Sequence, residues 1–392
     1  MKMKPILAAL ALLSGLTSTF AQLTIPSDGT DGPLNLPSTP TSVEIDLSQA
    51  ITGTWSDNNS ANVGKGIYDA QKWAVVFKYS SVNIPAGVSV TFKNHPTYAP
   101  VVWLVQGSAT IAGTVNINGK AGLPLGPSSV FLPEPGPGGY RGGAFRTGEF
   151  GAGLGPGGGY NSPGLYSSLY GNPSILPLIG GSGAGAAAGG GSSPLGSGGG
   201  GGGALLIAAS NTILVTGNLT ALGGGSVSYA DGSGGAIKLI ADSVTGTGTI
   251  NAAATGRVRI EANTFSASVI TTPSTIRVAP GTTPTIFQAN TSRTVRIASV
   301  DGLNSPADPT APLVSSADIA IQKNTPVTIV LETRNFATAG AVVAVRVANK
   351  FGGATSLNAT LDGGGTSTLS TWRVNTTLAP GFVTLQARAT AP

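Results

Sequence analysis

Short segments in which apolar and polar residues alternate recur through the middle of the chain. Residues 110–117 read TIAGTVNI and residues 213–221 read ILVTGNLTA, so every second residue is apolar or glycine. This period of two is that of a strand with one buried face. Val, Ile and Thr also favour strands, whereas glycine penalises helix interiors. The pattern therefore predicts an all-β fold.

Four stretches of the chain resemble one another and define a repeat. Each opens with an apolar strand, passes through a short polar break and continues into a second strand that ends at Asn, Ala or Gly. A repeat of about 21–22 residues with two or three short strands is what one coil of a parallel β-helix requires, because stacked coils bury together a face that no single coil can bury. The stretches are residues 101–122, 204–225, 236–256 and 257–268.

A meandering antiparallel sandwich is the main structural alternative for this region. It requires hairpin turns between strands, and Asn118-Gly119 is the one strong hairpin signal. Four asparagines fall where the corners of coils are expected. They either stack as polar rungs or make ordinary turns, and turn chemistry is favoured; they are Asn116, Asn118, Asn218 and Asn251.

A glycine-rich insertion, residues 119–203, separates the first repeat from the second. It holds 31 of the 59 glycines, and no charged residue occurs between Phe150 and Ala230. Two interpretations compete. The favoured one is a long surface loop, since no fixed glycine period is kept. The other is a set of extended glycine segments that pack closely because they lack side chains.

The ordered sequences GTVNINGKAG, GGGGGGALLIAASNTILVTGNLTALGGG, GSGGAIKLIADSVTGTGTINA and GRVRIEAN carry a resemblance. Over roughly residues 80–270 the chain resembles secreted glycine-rich parallel β-helix proteins of environmental bacteria. The resemblance implies an extracellular or cell-surface role and no defined reaction. Similar right-handed β-helices also occur in pectate lyase-like enzymes, whose catalytic residues have no recognisable match here.

The first 21 residues have the pattern of a secretory signal peptide. Lys2 and Lys4 precede a short apolar run, and Thr19 and Ala21 suit a signal peptidase site. The apolar run is too short to span a membrane, and no later stretch predicts a transmembrane anchor in the mature chain. We therefore expect a secreted or outer-surface protein, with residues 22–80 forming an N-terminal cap on a β-helix of residues 81–272.

The C-terminal part of the chain has a different pattern. Residues 273–312 are rich in proline and predict a connection. Residues 313–392 contain four dense strand patterns separated by glycine turns, as in an Ig-like or fibronectin-like β-sandwich. Trp372 lies among alternating apolar residues and is expected in the core of that sandwich.

The composition removes several kinds of chemistry. The chain has no Cys, one His and few charged residues, with 21 Lys and Arg against 16 Asp and Glu. Disulfides, thiolate zinc sites, cysteine nucleophiles and two-histidine metal sites are thus excluded within one chain. A formal net charge of +5 without a basic cluster argues against binding nucleic acid. His95 follows a strand, where a turn residue is expected.

One patch of charge is a weak catalytic candidate. Lys238, Arg257, Arg259 and Glu261 lie on neighbouring predicted coils, and β-helix lyases need a basic residue near a carboxylate that binds Ca²⁺. Because Lys238 and Arg259 follow the strand alternation outwards, an exposed charged face is the favoured interpretation.

Two acidic loops could supply oxygen ligands for calcium, namely residues 28–32 and residues 57–59. Neither has the spacing of a calcium motif, and ordinary turns formed by Asp and Asn side chains are favoured. We therefore predict no cofactor and no metal.

Four of the eight tyrosines lie in the glycine-rich insertion, and they could stack on sugar rings or anchor the insertion to the scaffold. Anchoring is favoured; the residues are Tyr140, Tyr160, Tyr166 and Tyr170.

These features together predict a non-enzymatic secreted or cell-surface scaffold that displays other parts of the chain and has an adhesive role, with extracellular polysaccharide or the cell envelope as partner. The alternatives are a polysaccharide lyase or hydrolase built on a β-helix, and a carbohydrate-binding adhesin that uses the loop tyrosines.

Overall fold

The computed structural model describes residues 23–158, 170–186, 195–225, 231–266, 268–309, 317–323, 325–363 and 365–390. The predicted signal peptide, Tyr160 and Tyr166 lie outside these residues. The described chain is all-β, as the sequence predicts, with two short 3₁₀ helices at Leu47–Gln49 and Pro127–Val130.

Strands β1 to β12 belong to the part of the chain that precedes residue 151. They are β1 Leu34–Asn35, β2 Ser42–Asp46, β3 Ile51–Thr52, β4 Ile67–Asp69, β5 Ala74–Tyr79, β6 Val82–Ile84, β7 Ser89–Lys93, β8 Val101–Val105, β9 Ala109–Ile111, β10 Thr114–Asn116, β11 Phe145–Arg146 and β12 Glu149–Phe150.

Strands β13 to β28 follow the glycine-rich segment. They are β13 Ala204–Ala209, β14 Thr212–Val215, β15 Asn218–Thr220, β16 Ala236–Thr245, β17 Thr249–Asn251, β18 Arg257–Phe265, β19 Ile270–Thr272, β20 Ile276–Val278, β21 Thr294–Val300, β22 Leu303–Asn304, β23 Val327–Arg334, β24 Val342–Asn349, β25 Ala354–Asn358, β26 Thr360–Leu361, β27 Leu369–Thr376 and β28 Val383–Thr390.

Two parallel sheets make up the part of the chain that carries the repeats. The first has the order β1-β6-β9-β14-β16-β13-β8-β5-β4-β3, with β18 paired to β16 and β20 paired to β18. The second has the order β19-β17-β15-β10-β7-β2. The β4–β5 pair is antiparallel, and the other pairs described in these two sheets are parallel.

The repeated stretches lie side by side in these sheets. Ala109 and Ile213 are paired neighbours in the first sheet, and Thr114 and Asn218 are paired neighbours in the second, with the same separation of 104 residues along the chain. The next neighbour of Asn218 is Thr249, 31 residues further on. Since the strands of residues 101–118 and 204–272 that the structure describes pair in parallel, the antiparallel sandwich is excluded there.

Alternate side chains of the parallel strands meet in one apolar core. It contains Val101, Trp103, Leu205, Ile207 and Leu239, all inaccessible to solvent. β13 and the first half of β16 are buried on both faces, because a second cluster covers the outer face of the first sheet. That covering layer comes from the segment before β1, from the second half of the insertion and from the segment after β20; it includes Leu23, Ile25, Ile175, Leu178 and Ile286.

The described glycine-rich segments are packed together, so the interpretation of the insertion as a surface loop is wrong for them. Gly200 donates from its backbone to the carbonyl of Lys120 at 3.0 Å, and Gly224 donates to Gly200 at 2.8 Å. A Cβ added at Gly224 would lie 1.9 Å from the Lys120 carbonyl oxygen, and one at Gly199 would lie 1.8 Å from that of Gly224. Such close approach of backbones is possible because these residues lack side chains. We call these segments, residues 119–122, 136–143, 180–183, 198–203 and 221–225, the glycine layer.

Two antiparallel sheets form the C-terminal part. One has the order β22-β21-β23-β27-β26 and the other the order β25-β24-β28. They enclose a core in which Trp372 is 4% exposed and donates from its indole nitrogen to the Thr333 hydroxyl at 3.0 Å. Because β21 begins at Thr294, the antiparallel sheet extends into residues 273–312, for which the sequence predicts a connection.

The β24 strand of this part contacts the region around β12. Arg346 donates through Nη2 to the carbonyl oxygens of Gly153 at 2.8 Å and Gly158 at 3.3 Å. The backbone of Gly352 donates to Phe150 at 3.2 Å, and Ala348 is buried in a small apolar cluster beside Leu154. We call this contact the joint.

Candidate functional site

The structure brings three of the four predicted charged residues together, but beneath the surface. Lys238 Nζ lies 3.1 Å from Glu261 Oε1, and Arg259 Nε lies 2.6 Å from the same oxygen. The Lys238 side chain is 1% exposed. The side chains of Glu261 and Arg259 are also mostly covered, with 11% and 15% exposed. Burial lowers the pKa of Lys238, and the neighbouring Glu261 carboxylate opposes that shift.

The register of two strands positions this cluster. Lys238 on β16 pairs with Arg259 on β18, and Glu261 follows two residues later on the same face. The Pro173 carbonyl accepts from Arg259 at 3.2 Å, and the Thr285 carbonyl accepts from Lys238 at 3.5 Å. The predicted exposed charged face is therefore wrong: the residues do point away from the inner core, but other chain segments cover them.

Arg257 belongs to a different environment. Its guanidinium donates to the backbone carbonyl of Tyr170 and lies 5.3 Å from the centre of the Tyr170 ring. Burial lowers its pKa, and its Nε has no hydrogen-bond partner. Arg257 thus ties the glycine-rich segment to β18 and does not join Lys238 and Glu261.

The two tyrosines that the structure describes in the insertion have different surroundings. Tyr170 donates its hydroxyl to the Gly180 carbonyl, and burial raises its pKa. Tyr140 donates its backbone N–H to Gly181 at 3.0 Å, while its ring centre lies 6.4 Å from that of Trp73. Both tyrosines are therefore anchored within the glycine-rich region.

The two acidic loops considered for calcium meet around a lysine. Lys78 Nζ donates to the carbonyl oxygens of Ser56 at 2.8 Å and Asp57, and lies 3.5 Å from Asp28 Oδ2. Asp31 is buried and accepts from the backbone of Lys78 at 2.6 Å. An ammonium group thus lies among the oxygens that had suggested a cation site.

His95 is buried against an aromatic ring. Its ring centre lies 3.9 Å from that of Tyr68, and its Nδ1 accepts from the backbone N–H of Thr97 at 3.2 Å. Burial lowers the pKa of His95, so the neutral imidazole is favoured, although the charge of Asp308 acts in the opposite direction. These contacts give His95 a packing role.

A cavity of about 1200 Å³ lies between the parallel-sheet part and the C-terminal sandwich. One wall comes from the segments that precede β5 and β8 and from the glycine layer. The other wall comes from the sandwich and the segment before it. Its lining includes Trp73, Tyr98, Tyr140, Arg141 and Gln322. Of the predicted ligand-binding tyrosines, the structure places Tyr140 at this cavity.

Comparison with protein-family models, with curated proteins and with solved structures gave no match. Among the residues that the structure describes, no helix is long and apolar enough to span a membrane. Within the same ranges, no three or more His, Asp or Glu side chains are grouped in a way that could hold a metal ion.

Sequence reasoning missed Lys78 and Trp73, which lie near opposite ends of β5. A signal was present for Lys78: the outer positions of its strand and of β8 are apolar, as in Val76 and Leu104. Strands that are apolar on both faces indicate a sheet covered on both sides, where a lysine needs internal partners. The role of Trp73 depends on contacts with residues distant in sequence, so no local signal marks it.

Proposed function

We propose that the parallel sheets wind as a β-helix and that this helix is a secreted or cell-surface scaffold that holds the C-terminal sandwich in a fixed position. In both sheets, strands of residues 101–116 pair with strands that follow 104 residues later, which supports the winding because one passage of the chain then adds strands to both sheets. The resemblance to secreted glycine-rich β-helix proteins agrees with this role. The proposed location outside the cell follows from the signal peptide pattern of residues 1–21.

The joint is the observation that carries the scaffold proposal. Arg346 is half-buried there, and its guanidinium donates to two glycine carbonyls of the insertion. Burial lowers the pKa of Arg346, since part of its guanidinium is removed from water. Hydrogen bonds from a charged donor in such a place resist rearrangement, because breaking them leaves a buried charge unpaired. A scaffold that displays a module needs such a connection.

The disposition of charge favours a structural role over the alternative of a polysaccharide lyase or hydrolase. An enzyme of that kind needs its carboxylate and basic groups to reach the substrate. Glu261 is held by two cations under a cover of backbone, and Lys78 is surrounded by carbonyl oxygens. These charged groups are thus engaged by other groups of the protein itself.

The β-helix can be tested with disulfides, since the chain has no cysteine of its own. Thr114 and Asn218 are paired neighbours, so the double variant Thr114→Cys/Asn218→Cys should cross-link on oxidation. Thr114→Cys/Thr249→Cys is the control, because Thr249 lies two strands away, about 10 Å. Loss of free thiols in both variants, or in neither, would contradict the winding.

The location can be tested by following a C-terminal epitope tag in a bacterial host. The tag should reach the medium or the outer surface, where added protease removes it, and the mature chain should begin at Gln22. A tag that stays inside intact cells would overturn the proposed location. Deletion of residues 2–21 is the matched control and should retain the protein in the cytoplasm.

The fixed joint can be tested by small-angle X-ray scattering. Arg346→Ala should give a broader distribution of interatomic distances, because the sandwich is released. Arg388→Ala removes an exposed arginine from the same three-stranded sheet and should leave the scattering unchanged. Identical curves for the wild type and both variants would argue against a role of this contact.

A further inference from the structure

The cavity between the two parts of the molecule has a wall of aromatic side chains. Trp73, Tyr98 and Tyr140 line it together with the guanidinium of Arg141, which lies 4.8 Å from the centre of the Tyr98 ring. The indole nitrogen of Trp73 already donates to the Thr97 carbonyl at 3.0 Å. The polar edge of the indole is therefore used by the protein, and the flat face of the ring is the part that can serve a ligand.

Two of these aromatic residues have an unusual backbone conformation. Trp73 has φ 46° and Tyr98 has φ 55°, in the left-handed region that large side chains rarely adopt. Trp73 lies one residue before β5 and Tyr98 three residues before β8, at the entries of two paired strands. Strained conformations persist where the surrounding structure enforces them, and they concentrate at ligand sites. Both of these face the same cavity.

The charged groups of the lining are largely engaged with one another or with neighbours. Arg141 pairs with Glu134 at 3.2 Å, Arg296 pairs with Glu332 at 2.7 Å, and Lys323 pairs with Asp301 at 2.5 Å. An ionic ligand would have to compete with these pairs. A neutral ligand would not, so the electrostatics of the cavity favour an uncharged molecule.

Polar atoms in the same lining disfavour a purely apolar ligand. Arg141 Nε and Thr384 Oγ1 have no hydrogen-bond partner, and both residues line the cavity. Rotation of the Thr384 side chain would offer its hydroxyl to a ligand that carries hydroxyl groups, whereas a hydrocarbon would leave both atoms unsatisfied. The exposed amide of Gln322 adds a donor and an acceptor at the rim.

From this combination we propose that the cavity binds a neutral oligosaccharide, with Trp73 as the stacking platform. Sugars present flat apolar faces for aromatic rings and hydroxyl groups for amide and hydroxyl partners. The volume of about 1200 Å³ exceeds the usual range for one small molecule, which favours several linked sugar units. Pockets at the junction of two domains are also a frequent place for ligands. This binding goes beyond the scaffold role and uses other residues than the joint.

The experiment measures binding of the full mature chain to a broad array of neutral glycans, followed by calorimetry with the hexasaccharides of β-1,4-glucan, β-1,4-xylan, α-1,4-glucan and chitin. We expect at least one neutral glycan to bind. Trp73→Ala should weaken that binding by about tenfold or more, as for a central aromatic contact. Gln322→Ala should weaken it by about fivefold, and because Gln322 is exposed this variant should retain the wild-type fold.

The control is Trp55→Ala, which removes an indole that packs on Phe287 at 5.1 Å, outside the cavity. Its affinity should equal that of the wild type, and circular dichroism should confirm that all variants are folded. The proposal is overturned if no neutral glycan binds, if palmitate or polygalacturonate binds instead, or if binding survives both Trp73→Ala and Gln322→Ala. Display of the sandwich at the cell surface is measured separately, so either proposal can fail without the other.

Discussion

The parallel sheets and the glycine layer fill their interiors in opposite ways. Between the sheets, side chains such as Trp103 and Ile207 occupy the space, and the backbones lie apart at the spacing of paired strands. In the glycine layer, backbones occupy the space. The Lys120 carbonyl oxygen lies so close to Gly224 that no Cβ would fit there. Both regions satisfy their backbone groups with hydrogen bonds between segments.

The difference lies in what each region can tolerate. A core of side chains can relax when a methyl group is lost, because neighbouring side chains shift into part of the space. A layer of backbones cannot make room for a methyl group, because moving one segment breaks hydrogen bonds to its neighbours. Loss of a methyl group from the core should therefore cost much less stability than gain of a methyl group in the glycine layer.

The largest effect is expected for Gly224→Ala in the glycine layer. Its methyl group would lie 1.9 Å from the Lys120 carbonyl oxygen, so the segments must separate. We expect a loss of about 3 kcal/mol or more, measured by urea unfolding. Gly225→Ala is the control, since the nearest atom to its Cβ is a side-chain oxygen at 3.9 Å. Equal stability of these two variants would contradict the proposal that close backbone contact makes the glycine layer intolerant of a methyl group.

A large effect is also expected for Glu261→Gln on the outer face of the first sheet. Glu261 is the shared acceptor for Lys238 and Arg259, and its removal leaves two covered cations without a counter-charge. The expected loss is about 3 kcal/mol in urea unfolding.

The comparison for Glu261→Gln is Glu332→Gln, which breaks the more exposed pair with Arg296 and should cost below about 1 kcal/mol. Similar losses for the two variants would mean that Glu261 is better hydrated than its contacts indicate.

A smaller effect is expected for Ile207→Val in the core between the sheets. Ile207 is inaccessible to solvent, and the substitution removes one methyl group from a space that neighbouring side chains can partly refill. The expected loss is about 1 kcal/mol, measured as a shift of the urea midpoint. A loss larger than that of Gly224→Ala would reverse the proposed order of the two regions.

The smallest effect is expected at the surface, for Asp46→Asn. Partial burial raises the pKa of Asp46, but hydrogen bonds from Ser48 and the Lys93 ammonium outweigh it and lower the pKa to about 2. Because the folded value lies below the usual 3.8, this carboxylate stabilises the fold above about pH 4, and the contribution disappears as the pH falls towards 2.

With solvent screening, the contribution of Asp46 should stay below about 1 kcal/mol at neutral pH. Thermal unfolding between pH 2 and pH 7 measures it, and the difference between Asp46→Asn and wild type should vanish near pH 2. Glu44→Gln, an exposed change on the same strand, is the control. A difference that persists at pH 2 would assign the effect to something other than this charge.

The all-β class and the strand pairing followed from local features of the sequence. The alternation in residues 110–117 and 213–221 determines which side chains face inwards, and similar stretches pair in register because their apolar positions match. Packing of the insertion was the less favoured of the two interpretations, because the steric demand at Gly224 depends on Lys120, a residue far away in the chain. A high glycine content is compatible with a surface loop and with a closely packed layer, so composition alone does not distinguish them.

The candidate site was harder to foresee than the fold. Alternation correctly placed Lys238 on the outer face, but it carries no information on whether another segment covers that face. The cover comes from residues near Pro173 and Thr285, which show no strand pattern of their own. The cavity depends on how the sandwich is placed against Trp73 and Tyr140, a property of the whole chain.

Lys78 also determines how the stability of the neighbouring acidic loops depends on the ions in the surrounding solution. Many extracellular folds fasten their acidic loops with calcium, so their stability follows the ion concentration outside the cell. Here the positive charge that the Asp57 carbonyl and the Asp28 carboxylate surround belongs to the chain itself. A covalently attached cation cannot be diluted or chelated, so we expect the stability of these loops to be independent of free calcium.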